Sequence, residues 1–387
     1  MTTMEQLAEA VSSVRPLVDV LDHPVRVAGP AAIAAPLNHV AARLGAPEFA
    51  VMAVMPGETG EELGTFERIV SDHLDLGRYD ALPDTSSEEI DRIVAEVVSA
   101  GFDGLCPREQ VLAPDGTPLR AYAAGDQSDP AVVIVAACGM PARLCEDWMR
   151  FLSADHHVLT WESRGLFDEG ADFGGVPADV ESQAGDLLAV MDHFGVRQAH
   201  LMCLCGGAVI GLAAAARDAD RVSSLSLWHG DFELGPDGPK THHQQNLKAL
   251  MEMAATSPER AAAIHPVLCR TMLTTVPPGL AHLVVYPYAT PELLFRYCRL
   301  NGSIMDTDVS PWLGAISRPA LVVTSEDDDT AHPEGSRTVA GRLSDATLNV
   351  RPHGDHISLF EAKPELMELA IRFIDSHKPG VRQKVIG

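Results

Sequence analysis

Basic residues are scarce in this 387-residue chain: 29 Lys and Arg against 54 Asp and Glu leave a formal charge of −25. A field of that sign repels phosphate backbones and anionic headgroups, so neither nucleic acid nor a membrane surface is expected as a partner. Long apolar runs are missing too. The longest, Ala131 to Ala137 and Gly206 to Ala216, fall well short of the ~20 residues a bilayer demands, and Met1 to Leu7, with Glu5 among them, lacks the basic-then-apolar order of a secretory signal. A cytoplasmic protein is expected. Cysteines in metal-binding spacing are also absent. The seven, at 106, 138, 145, 203, 205, 269 and 298, form no CxxC pairs with matching histidines, which predicts reduced thiols and no structural metal.

What is present is ample core: 46 % of residues are hydrophobic, enough for one large domain and a smaller companion. Residues 1–108 carry helical patterns at Gln6 to Val14, Ala31 to Leu44, Gly60 to Leu76 and Ser87 to Ala100, broken by Pro24, Pro30, Pro56 and Pro83. They predict a small, mainly helical N-terminal domain with no catalytic constellation of its own. From Val111 the pattern changes. Val111 to Ala113, an Asp115-Gly116 turn and Leu119 to Ala123 read as a hairpin, and strand and helix signals then alternate. Strands are expected at Ala131 to Ala137, His157 to Glu162, Ala199 to Leu204, Val222 to Trp228, Ala320 to Thr324 and Ala346 to Val350. Helices are expected at Glu146 to Leu152, Val180 to Phe194, Gly206 to Ala216 and Lys363 to Ser376. Such alternation predicts an α/β domain over residues 109–387, with a mostly parallel sheet flanked by helices. One stretch interrupts it. Residues 232–316 are helical in pattern and far too long for a plain connection, so they are expected to form a lid over the carboxyl ends of the strands.

The run Ala199-His200-Leu201-Met202-Cys203-Leu204-Cys205-Gly206-Gly207 joins an apolar strand to an apolar helix through a tight turn of small residues. That is the sequence of a nucleophile elbow with Cys205 at its apex, where helical N–H groups favour a thiolate. Cys203, two residues earlier, reads as a small residue filling the first position of the elbow. A base is expected near the C-terminus. His356 follows a short glycine loop and is preferred to His353. Leu321-Val322-Val323-Thr324 runs into Ser325-Glu326-Asp327-Asp328-Asp329, and Asp328 is expected to orient the imidazole, with Asp327 and Asp329 as solvated loop charges and Asp231 as the fallback acid. The oxyanion hole is expected from the backbone N–H groups of Gly206 and Met140, the latter in the loop Cys138-Gly139-Met140-Pro141. Glu162 and Asp231 are candidate substrate-binding carboxylates.

With these residues in place, residues 110 to 376 resemble the α/β-hydrolase superfamily. Ala137-Cys138-Gly139-Met140-Pro141-Ala142-Arg143 and Thr160-Trp161-Glu162-Ser163-Arg164-Gly165-Leu166-Phe167 are similar to segments of the cysteine aminoacyltransferases of nonribosomal peptide pathways, including the syringomycin-pathway shuttle. The resemblance implies an enzyme that moves an aminoacyl group between the phosphopantetheine thiols of carrier proteins, with Cys205 as acceptor, His356 as base and Asp328 as its orienter. It implies no bound cofactor beyond the partner's pantetheine. The Cys-Leu-Cys-Gly-Gly box also looks like that of polyhydroxyalkanoate synthases. Cys203 in place of the elbow's first glycine and the N-terminal domain are departures from the superfamily pattern. A cysteine thioesterase, a polymer synthase and a catalytically silent interaction protein are the competing readings. An acidic carrier would meet like charge, unless Arg143, Arg150, Arg164, Lys240, Lys248, Arg296 and Arg299 form a local basic patch.

Overall fold

Two runs, the aliphatic Ala131 to Val135 and the mostly apolar Ala199 to Leu204 with His200 as its one polar residue, have the composition of strands covered on both faces, and both form strands at the centre of a sheet. A computed structural model describes residues 2–21, 23–52, 63–79, 85–167, 173–272, 276–354 and 356–378. Among them are ten strands: β1 Val25–Ala28, β2 Phe49–Met52, β3 Arg108–Leu112, β4 Pro118–Ala124, β5 Ala131–Val135, β6 His157–Trp161, β7 Ala199–Leu204, β8 Val222–Trp228, β9 Ala320–Ser325 and β10 Ala346–Arg351. The chain divides into two units, Met1–Pro107 with His265–Pro291 and Arg108–Ile264 with Glu292–Gly387.

The second unit holds an eight-stranded sheet in the order β10-β9-β8-β7-β5-β6-β4-β3. Strands β5 to β10 pair in parallel, and β4 joins β6 and β3 antiparallel. The β3–β4 hairpin turns at Gly116, whose φ of +84° suits glycine. Helices Glu146–Leu152, Val180–His193, Gly207–Arg217 and Pro364–Ser376 connect or close the strands near the positions expected. Helix Gly207–Arg217 presses on the sheet because it lacks side chains where it touches. A Cβ on Gly207 would lie 2.2 Å from the Val135 carbonyl oxygen, and one on Gly211 would lie 2.3 Å from Cys203 Sγ. Arg164, 1 % exposed, is neutralised by Asp186 at 2.8 Å and Asp115 at 2.7 Å.

In the first unit the helical patterns become helices Thr3–Val18, Ala34–Leu44, Thr65–Leu74 and Ser87–Ala100. The breaks expected at Pro56 and Pro83 and the start of the pattern at residues 60–62 lie outside the described residues. The unit also contains a parallel pair, β1 and β2, which the sequence pattern did not signal. Four-residue strands carry too little alternation to stand out, and contacts from elsewhere hold them: Glu67 takes hydrogen bonds from the Arg26 backbone N–H at 3.1 Å and its guanidinium at 2.8 and 2.7 Å. Among the described residues of the stretch expected as a single lid over 232–316 are helices His242–Ala254, Pro258–Met272, Ala281–Val284, Pro291–Asp306 and Ser310–Leu313; residues 232–264 and 292–316 lie in the second unit, but His265–Pro291 groups with the first. Local contacts explain this. His282 Nε2 lies 2.6 Å from Ser13 Oγ in helix Thr3–Val18, and its ring is tilted at 41° against that of His73 with centroids 3.7 Å apart.

Candidate active site

Strand β7 ends at Leu204 and helix Gly207–Arg217 begins three residues later, so the chain must reverse within Cys205 and Gly206. Cys205 absorbs the turn with φ 54°, a left-handed conformation that a residue bearing a Cβ holds only under strain. Its backbone N–H is tied to the Trp228 carbonyl at 2.9 Å. Of the seven cysteines the other six are buried, and Cys205 alone is partly exposed. Burial pushes the thiols of Cys138, Cys145 and Cys298 up to about 12 and that of Cys269 up to about 11. Cys203 is sealed against Gly211, as its filler reading anticipates.

The Cys205 sulfur lies 2.8 Å from His356 Nε2, and His356 Nδ1 lies 3.3 Å from Asp328 Oδ2. His356 is followed by the short turn Ser358–Glu361, where Trp148 Nε1–H donates to the Leu359 carbonyl at 2.8 Å. Asp328 is 3 % exposed. Its Oδ1 accepts from the backbone N–H groups of Thr330 and Ala331 at 2.9 and 3.0 Å, and its Oδ2 from His229 Nδ1–H at 2.7 Å as well as from His356. Burial opposes ionisation of this carboxyl, but the hydrogen bonds from His229 and His356 outweigh it and hold its pKa far below the usual range. Burial likewise opposes charge on His356, while the facing Cys205 sulfur and the hydrogen bond to Asp328 raise its pKa well above 6.5. The neighbouring loop charges stay in solvent: His353, 88 % exposed, reaches Asp327 at 3.3 Å, and Asp329 is exposed.

Met140 closes a four-residue turn. Its N–H points to the Ala137 carbonyl at a long 3.4 Å, with Gly139 supplying the positive φ of 78° that the turn requires. Gly139 N–H donates to Ser163 Oγ at 2.9 Å and Ala142 N–H to Glu162 Oε1 at 3.1 Å, so the loop after β5 is clamped from both sides by the end of β6. Glu162, 7 % exposed and also bonded to Tyr122, has its carboxylate committed to that loop. Gly206 is the N-cap of the elbow helix and is covered by Ile304 and Asn301 of helix Pro291–Asp306: a Cβ placed there would lie 3.3 Å from Ile304 Cγ2 and 3.5 Å from Asn301 Oδ1. Asp231 accepts a short hydrogen bond from Gln244 Nε2 on helix His242–Ala254. Two histidines escaped the sequence reading. His229 follows β8 where a carboxylate was sought, and His243, on the same helix as Gln244, is electrostatically coupled to His356, Asp328 and Asp231.

One ligand atom each of His229, Asp328 and His356 lies within 4.8 Å of the other two, the spacing of a cation site. The three side chains are instead engaged with each other as donors and acceptor.

No family model matches the chain. RutD of Variovorax paradoxus, by name a carbamate hydrolase, is 25 % identical over 249 residues, covering 62 % of this chain and 89 % of that protein. The rhodomycin D methylesterase DnrP of Streptomyces peucetius is 28 % identical over 124 residues, 31 % of this chain and 42 % of its own. Among solved structures, the enol-lactonase of Burkholderia xenovorans superposes with a TM-score of 0.56 at 22 % identity, covering 70 % of this chain and 100 % of that one. The esterase RhEst1 of a Rhodococcus species gives 0.57 at 17 % identity, covering 70 % and 99 %. The chain carries the α/β-hydrolase fold. In an α/β-hydrolase the nucleophile stands at the strand-to-helix elbow and its partners follow in the order acid then histidine, which is the order of Cys205, Asp328 and His356 here.

Proposed function

We propose that this α/β-hydrolase chain transfers acyl groups, aminoacyl groups foremost, between the phosphopantetheine thiols of carrier proteins of the nonribosomal peptide type, holding each group on Cys205 as a thioester in between. The observation that supports the reading is a partly exposed sulfur at the elbow, 2.8 Å from His356 Nε2. A thioester on sulfur is close in free energy to the thioester it came from and to the one it becomes, so the group can pass either way. An ester on a serine oxygen would lose that reversibility.

The steps follow from the positions of the groups. His356 Nε2 holds the proton of the Cys205 thiol while the sulfur attacks the carbonyl carbon of the incoming thioester. Negative charge develops on the carbonyl oxygen beside the Gly206 N–H. The second donor would be the Met140 N–H, which must exchange its long bond to Ala137 for the oxyanion. When the tetrahedral centre collapses, the C–S bond to the first pantetheine breaks and His356 gives its proton to the departing sulfur. A second pantetheine thiol then gives its proton to His356, attacks the acyl-enzyme and releases Cys205. Asp328, kept ionised by four hydrogen-bond donors, holds the imidazole in the tautomer both halves require.

An ammonium group on the substrate finds Asp231 near the triad with one oxygen on Gln244, whereas Glu162 serves the loop. Six of the seven basic side chains considered for carrier docking are tied to acids, Arg143 and Arg150 to Glu146, Lys240 and Lys248 to Glu233, Arg296 to Glu292, and Arg164 inside the core, while Arg299 lies over the Phe173 ring.

The names of the relatives, hydrolases and esterases, favour a second reading in which water takes the acyl group, and with Cys205 as nucleophile that reading is a cysteine thioesterase. One experiment separates the two. A carrier loaded with a radiolabelled aminoacyl thioester is mixed with the chain and a second, unloaded carrier. Label on the second carrier, lost with Cys205→Ala, is the expected result. Free acid with an empty second carrier would establish hydrolysis, and label movement undiminished in Cys205→Ala would end both readings.

A further inference from the structure

The steps above give no task to His229, yet its imidazole makes the shortest side-chain contact to the triad acid. His229 follows Trp228 at the end of β8, is 2 % exposed and has φ 48°. For a residue with a Cβ that conformation is strained, so the surroundings must hold it there. Its backbone N–H donates to the Val323 carbonyl at 2.8 Å, which fixes it against β9 just ahead of the loop that bears Asp328. Nδ1 of His229 lies 2.7 Å from Asp328 Oδ2, whereas His356 Nδ1 lies 3.3 Å from the same oxygen, the two rings standing perpendicular with centroids 5.9 Å apart. Asp328 is an ionised acceptor, so both nitrogens facing it are N–H donors.

The other edge of the ring points elsewhere. His229 Nε2 lies 3.4 Å from Ser325 Oγ, and that hydroxyl donates at 2.5 Å to the carbonyl of Gly354, two residues before His356. With its one proton on Gly354, Ser325 meets His229 as a packing contact, so the contacts run from His356 to Asp328, Asp328 to His229, His229 to Ser325 and Ser325 to Gly354.

We propose that His229 is a positioning residue for the thiol chemistry assigned to Cys205: by fixing the Asp328 carboxylate and, through Ser325, the loop that carries His356, it keeps His356 Nε2 on the sulfur while protons move on and off. The proposal rests on Cys205 and His356 acting as a pair. Without His229, Oδ2 keeps only the 3.3 Å bond and the carboxylate can turn about its Oδ1 anchors. The hydrogen bond that supports a charged His356 then weakens, and the imidazole spends less time on Cys205. Cys205 and Asp328 face His356 directly. His243 and Asp231 stand nearby from the segment after β8, and Cys138 approaches Cys205 from the loop after β5.

The test uses the whole chain and no substrate. Two quantities are read: the titration of the His356 ring by NMR of nitrogen-labelled histidine, assigned by its loss in His356→Gln, and the rate of Cys205 alkylation by iodoacetamide at pH 7. In His229→Leu the His356 midpoint is expected to fall by about one pH unit and alkylation to slow on the order of tenfold. His229→Asn places an amide N–H where Nδ1 was and tolerates the positive φ. It is expected to keep the wild-type midpoint and an alkylation rate within about threefold of wild type. If His229→Leu does not fold, His229→Gln, whose amide reaches past the carboxylate, replaces it with the same expectation. A folded Leu or Gln variant with midpoint and alkylation rate both unchanged would overturn the proposal. Failure of a loaded carrier to acylate wild-type Cys205 would instead sink the functional reading and leave these two measurements standing.

Discussion

At the scale of single residues the site is defined by which groups can change protonation and which cannot. Asp328 accepts four hydrogen bonds and stays a carboxylate, so it serves the site as an acceptor. Replacing Asp328 with Asn keeps the shape but presents His356 with a donor in one orientation, and steady-state acyl transfer is expected to fall on the order of 10⁴-fold with the chain still folded. Cys205→Ser probes the sulfur itself. The hydroxyl can take an acyl group, but a second thiol must then displace an alkoxide, so acylation is expected to persist at a reduced rate while passage to an acceptor carrier drops by at least ~10²-fold, as read by intact mass of a trapped acyl-enzyme.

Among elements, the approach of helix Gly207–Arg217 to the sheet sets the elbow. Gly211 leaves room for Cys203 Sγ, which a Cβ would meet at 2.3 Å. Gly211→Ala is expected to cost about 1–3 kcal/mol in urea-induced unfolding, because neither strand nor helix can retreat without opening the core. Cys203→Ala should leave a small void in wild type but relieve the clash, so the double variant is expected to be more stable than Gly211→Ala alone. Element order and most strand positions were legible because apolar runs bounded by turn residues leave few alternatives. The convergence of Cys205, Asp328 and His356 was legible because each stands just past a strand end. His229 was not: its partner lies 99 residues away, and only the parallel pairing of β8 with β9 brings the two strand ends together. Neither was the commitment of Glu162, since a backbone N–H as partner leaves no mark on sequence. The pair β1 and β2 and the grouping of His265–Pro291 with the first unit depend on tertiary contacts such as those of Glu67 and His282.

For the whole molecule, the two units respond to acid through different groups. In the first, burial works against charge on Glu67, but the hydrogen bond from the Arg26 side chain and those from the Gly64 and Arg26 N–H groups prevail, lowering its pKa from 4.5 to about 2. A depressed carboxylate stabilises the folded state fully above the unfolded value and loses that contribution as pH falls toward the folded one. Relative to Glu67→Gln, wild type is therefore expected to gain on the order of 2–3 kcal/mol of local stability at pH 7, with the advantage shrinking between pH 4.5 and 2. Hydrogen exchange across helix Thr65–Leu74 reads this directly.

The sealing of six sulfurs gives every folded molecule a built-in counter. A chromogenic disulfide reagent should register one equivalent per chain in buffer and seven in strong denaturant. The ratio tells an experimenter what fraction of a preparation has its elbow intact before any acyl donor is chosen, so a negative screen against candidate donors can be assigned to the donors and not to spoiled material.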